Sequence, residues 1–327
     1  MEISGKKVFV TGGAGFIGSH LVDSLLRLGG DVTVFDNFDD FYDGKEQNIE
    51  GHLGDPRFHV VRGTILDFEA LSKSMKGNKL VFHLAAQPGI RYCLTNPLKA
   101  SDVNVTGTLN VLLASENLGV EKIIHASSSS IYGNVARVPI PEACPLNPTS
   151  IYGATKLAAE KYCLAYHQTS GLPITCLRYF SVYGPRGRPD QVLFSMAERA
   201  AAGGAPVIYG DGKQSRDFTY ISDIISGTIL AALRDDSIGQ VFNLGYGAEF
   251  SISEAAERIN EYFRNQQEPV HKPAYGGDFS RTLCDNQKAR HQLGWSPKVS
   301  FTAGLDQFLE WYSKTKMPAP GHGKPLT

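Results

Sequence analysis

Lys7-Val-Phe-Val-Thr-Gly-Gly-Ala-Gly-Phe-Ile-Gly18 opens the chain with a short apolar run, a glycine cluster and the first turn of a helical pattern. The run at 7–11 reads as a buried strand, and residues 17–28 place apolar side chains at helical spacing. Between them Gly12, Gly15 and Gly18 are spaced G-x-x-G-x-x-G, slightly different from the G-x-G-x-x-G of simpler dinucleotide domains. The physics is shared. Glycine lets the turn form and lets the backbone approach a pyrophosphate at a helix N-terminus, so Gly12, Gly15, Phe16, Ile17 and Gly18 are candidate cofactor contacts.

Working outward, strand-like runs recur at 31–35, 58–61, 80–84, 122–125 and 173–178, with helical patterns such as 103–117 between several of them. Strands buried on both faces and spaced by helices predict an α/β fold, a Rossmann-type doubly wound parallel sheet. Past Gly184 the segments shorten, and Pro185-Arg-Gly-Arg-Pro189 reads as loop. The expected organisation is a dinucleotide-binding domain over 1–180 and a smaller α/β substrate-binding domain over 181–327. Segments 220–224 and 241–243 are candidates to return to the first. The tail Pro318-Ala-Pro-Gly-His-Gly-Lys-Pro325 is too rich in Pro and Gly to pack as an element and is expected to be mobile.

Composition narrows the class. The 327 residues are 42% hydrophobic and 20% charged with a net charge of −1, which carries no electrostatic footprint for nucleic acid or an anionic membrane. No apolar run reaches the roughly 18 residues of a membrane helix, and no signal-peptide pattern precedes Val8. Cys93, Cys144, Cys163, Cys176 and Cys284 are odd in number and scattered, which suits free thiols and no metal site. The expected location is the cytoplasm.

Asp36, directly after Val32-Thr-Val-Phe35, sits where a carboxylate can accept bonds from an adenosine ribose diol, or where it could cap the loop. Asn37 follows without an adjacent arginine to hold a 2′-phosphate, favouring NAD over NADP. Asp67 could reach the adenine edge or equally cap the next helix. Farther on, Tyr152 and Lys156 in Ser150-Ile-Tyr-Gly-Ala-Thr-Lys156 are one helical turn apart on one face of a helix expected over 152–169. An ammonium beside a phenol would pull the tyrosine below its usual pKa of about 10, making a base for a sugar hydroxyl. A core aromatic with a solvated lysine has the same spacing.

Taken together, Thr11–Gly18, Asp36-Asn37, His83-Leu-Ala-Ala-Gln87, Asn104, Ala126-Ser-Ser-Ser-Ser-Ile-Tyr-Gly133, Tyr152–Lys156, Leu177-Arg-Tyr-Phe-Ser-Val-Tyr-Gly-Pro185 and Arg216-Asp-Phe-Thr-Tyr220 resemble the extended short-chain dehydrogenase/reductases, specifically the nucleotide-sugar epimerases and dehydratases. The resemblance implies a triad of Ser128, Tyr152 and Lys156, with Lys156 also on the nicotinamide ribose. It implies Ala85, Ala86 and Asn104 lining the cofactor. Ser181 matches a position where many relatives have Asn on the nucleotide diphosphate, and Arg216 and Arg281 match arginines that hold that diphosphate. Two forked cations suit a doubly charged arm, although either could be a surface ion-pair residue. Ile208-Tyr-Gly-Asp-Gly212 resembles a loop packing on a pyrimidine base, pointing to a UDP-sugar substrate. A homodimer through helices that include the Tyr152 helix is implied as well.

The resemblance also bears on the reaction. Sugar dehydratases of the family carry Asp-Glu directly after the triad hydroxyl, and UDP-glucuronate decarboxylases usually carry Glu at the second site. Ser129 and Ser130 stand there in this chain. Without those carboxylates the implied outcome is 4-epimerisation through a transient 4-keto sugar. Phe38-Asp-Asp-Phe-Tyr-Asp43, Gln87-Pro-Gly-Ile-Arg91 and Gly187-Arg-Pro-Asp190 look more like UDP-glucuronate 4-epimerases than UDP-galactose epimerases. A C6 carboxylate needs a cationic partner, and Arg188, then Arg186 and Arg91, are the candidates, with Ser129 near the sugar. Interconversion of UDP-glucose and UDP-galactose uses the same triad and is the alternative. A non-catalytic NAD-binding relative is the reading from another class, though such proteins often lose the Tyr or Lys.

Overall fold

A computed structural model describes residues 2–274 and 279–317. The Pro- and Gly-rich tail expected to be mobile lies outside the described residues. Seven parallel strands form one sheet: β1 (Lys7–Thr11), β2 (Asp31–Asp36), β3 (Phe58–Arg62), β4 (Leu80–His83), β5 (Lys122–Ser128), β6 (Ile174–Tyr179) and β7 (Val241–Leu244). Their spatial order is β7-β6-β5-β4-β1-β2-β3. The chain therefore winds outward in both directions from the β1/β4 pair. That reversal leaves a crevice at the carboxyl ends of β1 and β4, where such sheets bind ligands.

Burial follows position in the sheet. Every residue of β4, β5 and β6 is buried, so these central strands need not alternate polar with apolar. The edge strand β3 buries only Phe58 fully, leaving three of its five residues exposed. Helices cover both faces, and Phe16–Arg27 packs its Leu21, Val22, Leu25 and Leu26 against the sheet.

The region after residue 180 is built from shorter pieces. Val182–Tyr183 pairs with Thr219–Tyr220, Ser215–Arg216 with Phe250–Ser251, and Val207–Tyr209 with Val270–Lys272. Helices Val192–Ala201, Ile252–Phe263 and Phe301–Thr315 close over them. Residues 221–244 go back to the sheet: helix Ile221–Leu233 packs on β5, β6 and the first helix, and β7 completes the sheet beside β6. One apolar core runs from Val8 and Val34 through Ile224 and Phe242 to Phe301 and Phe308. This shared core fixes the shorter pieces over the crevice. Among the described residues no helix is long and apolar enough to cross a membrane.

Candidate active site

The glycine turn meets a tight steric demand. Gly12 has φ +71°, and a Cβ there would lie 2.7 Å from the Ala85 backbone nitrogen. Only glycine serves this left-handed position at such close approach, which brings β1 and β4 together under the crevice. The Thr11 hydroxyl accepts from the Ala85 N–H at 3.2 Å and bonds the His83 ring at 2.8 Å, tying the same two strand ends.

A cleft of about 1090 Å³ opens here. Gly12, Gly15, Phe16, Ile17, Gly18, Asp36, Asn37, Ala85, Ala86, Tyr152 and Lys156 line it. Asp36 is buried, with Oδ2 accepting from Ala14 N at 3.0 Å and Oδ1 from Phe38 N at 2.9 Å. Burial raises its pKa despite those bonds. The remaining lone pairs of an ionised carboxylate leave room for two more donors, as a ribose diol provides. Tyr42 was not singled out from the sequence. Its hydroxyl accepts from Phe16 N at 2.9 Å, at the helix N-terminus where a pyrophosphate is favoured.

Two expected cofactor contacts sit elsewhere. Asp67 caps helix Phe68–Met75, accepting from Ala70 N at 3.0 Å, and does not line the cleft. The nearby lining is Gly63, Thr64 and Ile65. Asn104 is buried one layer behind, while its neighbour Val103 faces the cleft. Its side chain clamps the Gln87 backbone, accepting from N at 2.7 Å and donating to O at 3.1 Å, and donates to Thr155 Oγ1 at 2.9 Å. It thereby joins the Gln87 loop to the Tyr152 helix.

Helix Ile151–Ser170 carries Tyr152 and Lys156, and Ser150 caps it by accepting from Gly153 N at 3.0 Å. One turn past Lys156, the buried Glu160 receives Arg178 Nη2 at 2.6 Å and Ser127 Oγ at 2.6 Å. Arg178 also donates to Tyr132 Oη at 2.6 Å. With every partner satisfied, this network pins the helix to β5 and β6 and sets the height of Tyr152. Ser128 ends β5, accepts from Ser130 N at 3.1 Å and stands close enough to the Tyr152 phenol to help lower its pKa. Tyr152 and Lys156 line the first cleft together, while Ser128 is buried beside the phenol and lines neither cleft.

Their electrostatics differ from the sequence expectation. Burial raises the Tyr152 pKa; Arg188 is the leading cation that pulls it down, followed by the nearby Ser128. The phenol is therefore not lowered by its lysine neighbour, and Arg188 takes the part expected of Lys156. Lys156 is itself buried, which pushes its pKa down to about 8. Beneath it His83 and His125 lie with ring centroids 5.3 Å apart, and burial holds both neutral.

A second cleft, about 1580 Å³, adjoins the first and is lined by Arg91, Ser130, Tyr152, Ser181, Arg188, Asp190 and Arg216 among others. Tyr152 and Arg188 line both clefts. Arg91 stacks on Tyr209, 3.9 Å from the ring centroid, and so stands beside the loop read as base-packing. Ser129, half-buried, begins the turn Ser129–Ile131. Arg186 and Arg281 are not brought in. Arg186 has φ +62° and pairs with Asp23 at 3.0 Å; Arg281 is exposed and paired with Glu249, Nε to Oε2 being 3.2 Å. In both cases a neighbouring carboxylate holds the guanidinium outside the clefts. Asp190 has no role that the sequence predicts, although it lies in the same stretch as Arg188; its pairing with Arg188 is visible only in the fold.

Residues 8–245 match the model of the NAD dependent epimerase/dehydratase family. A UDP-glucuronate 4-epimerase of Thermodesulfobacterium geofontis is 37% identical over 92% of this chain and 94% of its own. The crystal structure of UDP-glucuronic acid 4-epimerase from Bacillus cereus with UDP-glucuronic acid and NAD superposes with a TM-score of 0.91. It is 35% identical over 94% of this chain and 99% of that one. UDP-glucose 4-epimerase of Thermotoga maritima, solved with UDP-glucose, gives 0.89 and 35% identity over 95% and 100%. With the glycine turn, Asp36, Tyr152 and Lys156 lining one crevice, and the family model matched over most of its length, the chain belongs to the NAD-dependent epimerase/dehydratase family.

Proposed function

We propose that the protein is an NAD-dependent UDP-sugar 4-epimerase whose substrate is UDP-glucuronate, giving UDP-galacturonate. The observation that carries this reading is Tyr152 standing between the two clefts with Arg188 beside it, while Ser129 and Ser130 supply no carboxylate. The T. geofontis and B. cereus relatives support the uronate.

The glycine turn with Phe16 and Ile17 would hold the pyrophosphate, Asp36 the adenosine ribose, and Lys156 the nicotinamide ribose. Bound NAD⁺ would supply a reversible hydride acceptor for C4 of the sugar and a positive charge beside the phenol. Tyr152 Oη takes the proton of the 4-hydroxyl and later returns it. Ser128 Oγ donates to the same sugar oxygen and keeps it in line. Ser181 and Arg216 bind the diphosphate arm, and Arg188 meets the C6 carboxylate through its fork. Because no acid stands at 129 or 130, the keto sugar is neither dehydrated nor decarboxylated; it turns over and is reduced on its other face.

A second reading is favoured by one contact. Arg188 already holds Asp190, which would suit a neutral hexose and hence UDP-glucose/UDP-galactose interconversion. Incubating NAD-loaded protein with UDP-glucuronate separates the two: UDP-galacturonate is expected, and product from UDP-glucose alone overturns the first reading.

We also propose a homodimer. Helices Ile90–Thr95, Pro97–Ser101 and Gly107–Asn117 lie beside the Tyr152 helix and, with it, expose Leu94, Leu98, Leu113 and Tyr162. Sedimentation of wild type against Leu98→Glu tests it, a monomeric wild type being the contrary result.

A further inference from the structure

The sugar-side cleft is lined by three cations, Arg91, Arg188 and Arg216, and by one acid, Asp190, among its described residues. A diphosphate can engage two cations. Arg188 pairs with the acid: its Nε reaches Asp190 Oδ1 at 2.8 Å and its Nη2 reaches Oδ2 at 3.1 Å. This parallel pair occupies one edge of the guanidinium in the way a substrate carboxylate would. The backbone beneath is fixed separately. Arg188 N donates to Gln191 Oε1 at 2.9 Å, and Gln191 Nε2 donates to Val182 O at 2.8 Å. The Asp190 side chain can therefore leave without unfolding the loop. It is also the more exposed partner, 33% against 18% for Arg188. Beside it is Gly89, at φ +91°, where a Cβ would come within 3.2 Å of Asp190 Oδ2. The absence of a side chain there gives the carboxylate space.

We propose that Asp190 is a specificity-determining stand-in for the substrate carboxylate, filling the Arg188 fork until a uronate displaces it. This rests on the UDP-sugar reading of the site, but not on which sugar is turned over. The exchange is carboxylate for carboxylate, so Arg188 stays paired in the empty and the uronate-bound states. A lone cation is never left half-buried against Tyr152. A neutral hexose leaves the internal pair in place. Competition from Asp190 weakens uronate binding, and it thereby sets the ratio of uronate to hexose affinity.

The test measures binding of UDP-glucuronate and UDP-glucose by calorimetry to NAD-loaded protein in a Tyr152→Phe background, which suppresses turnover. Asp190→Asn should raise the uronate-to-hexose affinity ratio about tenfold, the size of one charge-assisted bond pair. Asp190→Ser should do the same, and Asp190→Glu should restore the original ratio. A structural role would move both ligands together. An unchanged or lowered ratio in both Asn and Ser variants overturns the proposal. Turnover of the otherwise wild-type enzyme keeps the two readings apart. UDP-glucose turnover alone, with the ratio still rising in Asp190→Asn, defeats the uronate substrate and leaves the exchange standing. UDP-glucuronate turnover with a fixed ratio does the reverse.

Discussion

The dinucleotide cleft and the sugar cleft share Tyr152 and Arg188 but are built differently. The first is made from strand ends and helix starts of one sheet, with backbone contacts such as Gly12 against Ala85 that tolerate almost no change. The second is made from loops and two-residue strands, where side chains such as Arg188, Asp190 and Gln191 choose among polar partners. One region fixes what chemistry is possible, and the other decides on which molecule. Loops on a rigid scaffold divide labour this way because they can vary without disturbing the core.

Breaking Tyr152 should have the largest effect. Tyr152→Phe is expected to lower kcat about 10³-fold while nucleotide-sugar affinity changes only a few-fold, measured by product assay and calorimetry. Comparable losses in both would mean Tyr152 mainly shapes the cleft. Next comes Arg188, the other shared residue, through its part on the sugar side. Arg188→Ala should lower kcat/KM for UDP-glucuronate about 30-fold more than for UDP-glucose, the value of a lost charge-assisted pair. Equal losses would confine Arg188 to tuning Tyr152.

The smallest effect belongs to the dinucleotide side. Lys156 ionises near pH 8 in the folded, cofactor-free protein and near about 10.4 when unfolded. Below pH 8 both states are protonated and the cost of burying the charge is constant. Between about pH 8 and 10 the unfolded chain binds more protons, so stability rises with pH, by about 1–2 kcal/mol over that window. Denaturant titrations of wild type and Lys156→Met should show the difference between them shrink as pH rises. A constant difference would mean Lys156 is not held near neutrality.

The same contrast explains what could be read from sequence. The strands at 7–11, 31–36 and 58–62 and the Gly12, Gly15, Gly18 turn follow from local rules, since one short stretch carries both the pattern and its use. Val241–Leu244 joining β6 depends on contacts 65 residues apart in sequence, such as Val241 with Cys176. Asp67 had two local uses, and the adjacent Ala70 N–H took the carboxylate. Arg186 and Arg281 carried the right chemistry, but Asp23 and Glu249 face them only in three dimensions. For Tyr152, helical spacing identified the lysine neighbour, whereas the cation that acts on it comes from a loop 36 residues away.

On the proposed mechanism the oxidation begun at Tyr152 is reversed rather than diverted, because Ser129 and Ser130 offer no acid or base. UDP-glucuronate deuterated at C4, followed by NMR with NAD-loaded protein, tests it directly. UDP-galacturonate with the label retained at C4, and no carbon dioxide or dehydrated sugar, is the expected result. Label lost to solvent, or a decarboxylated or dehydrated product, would contradict it.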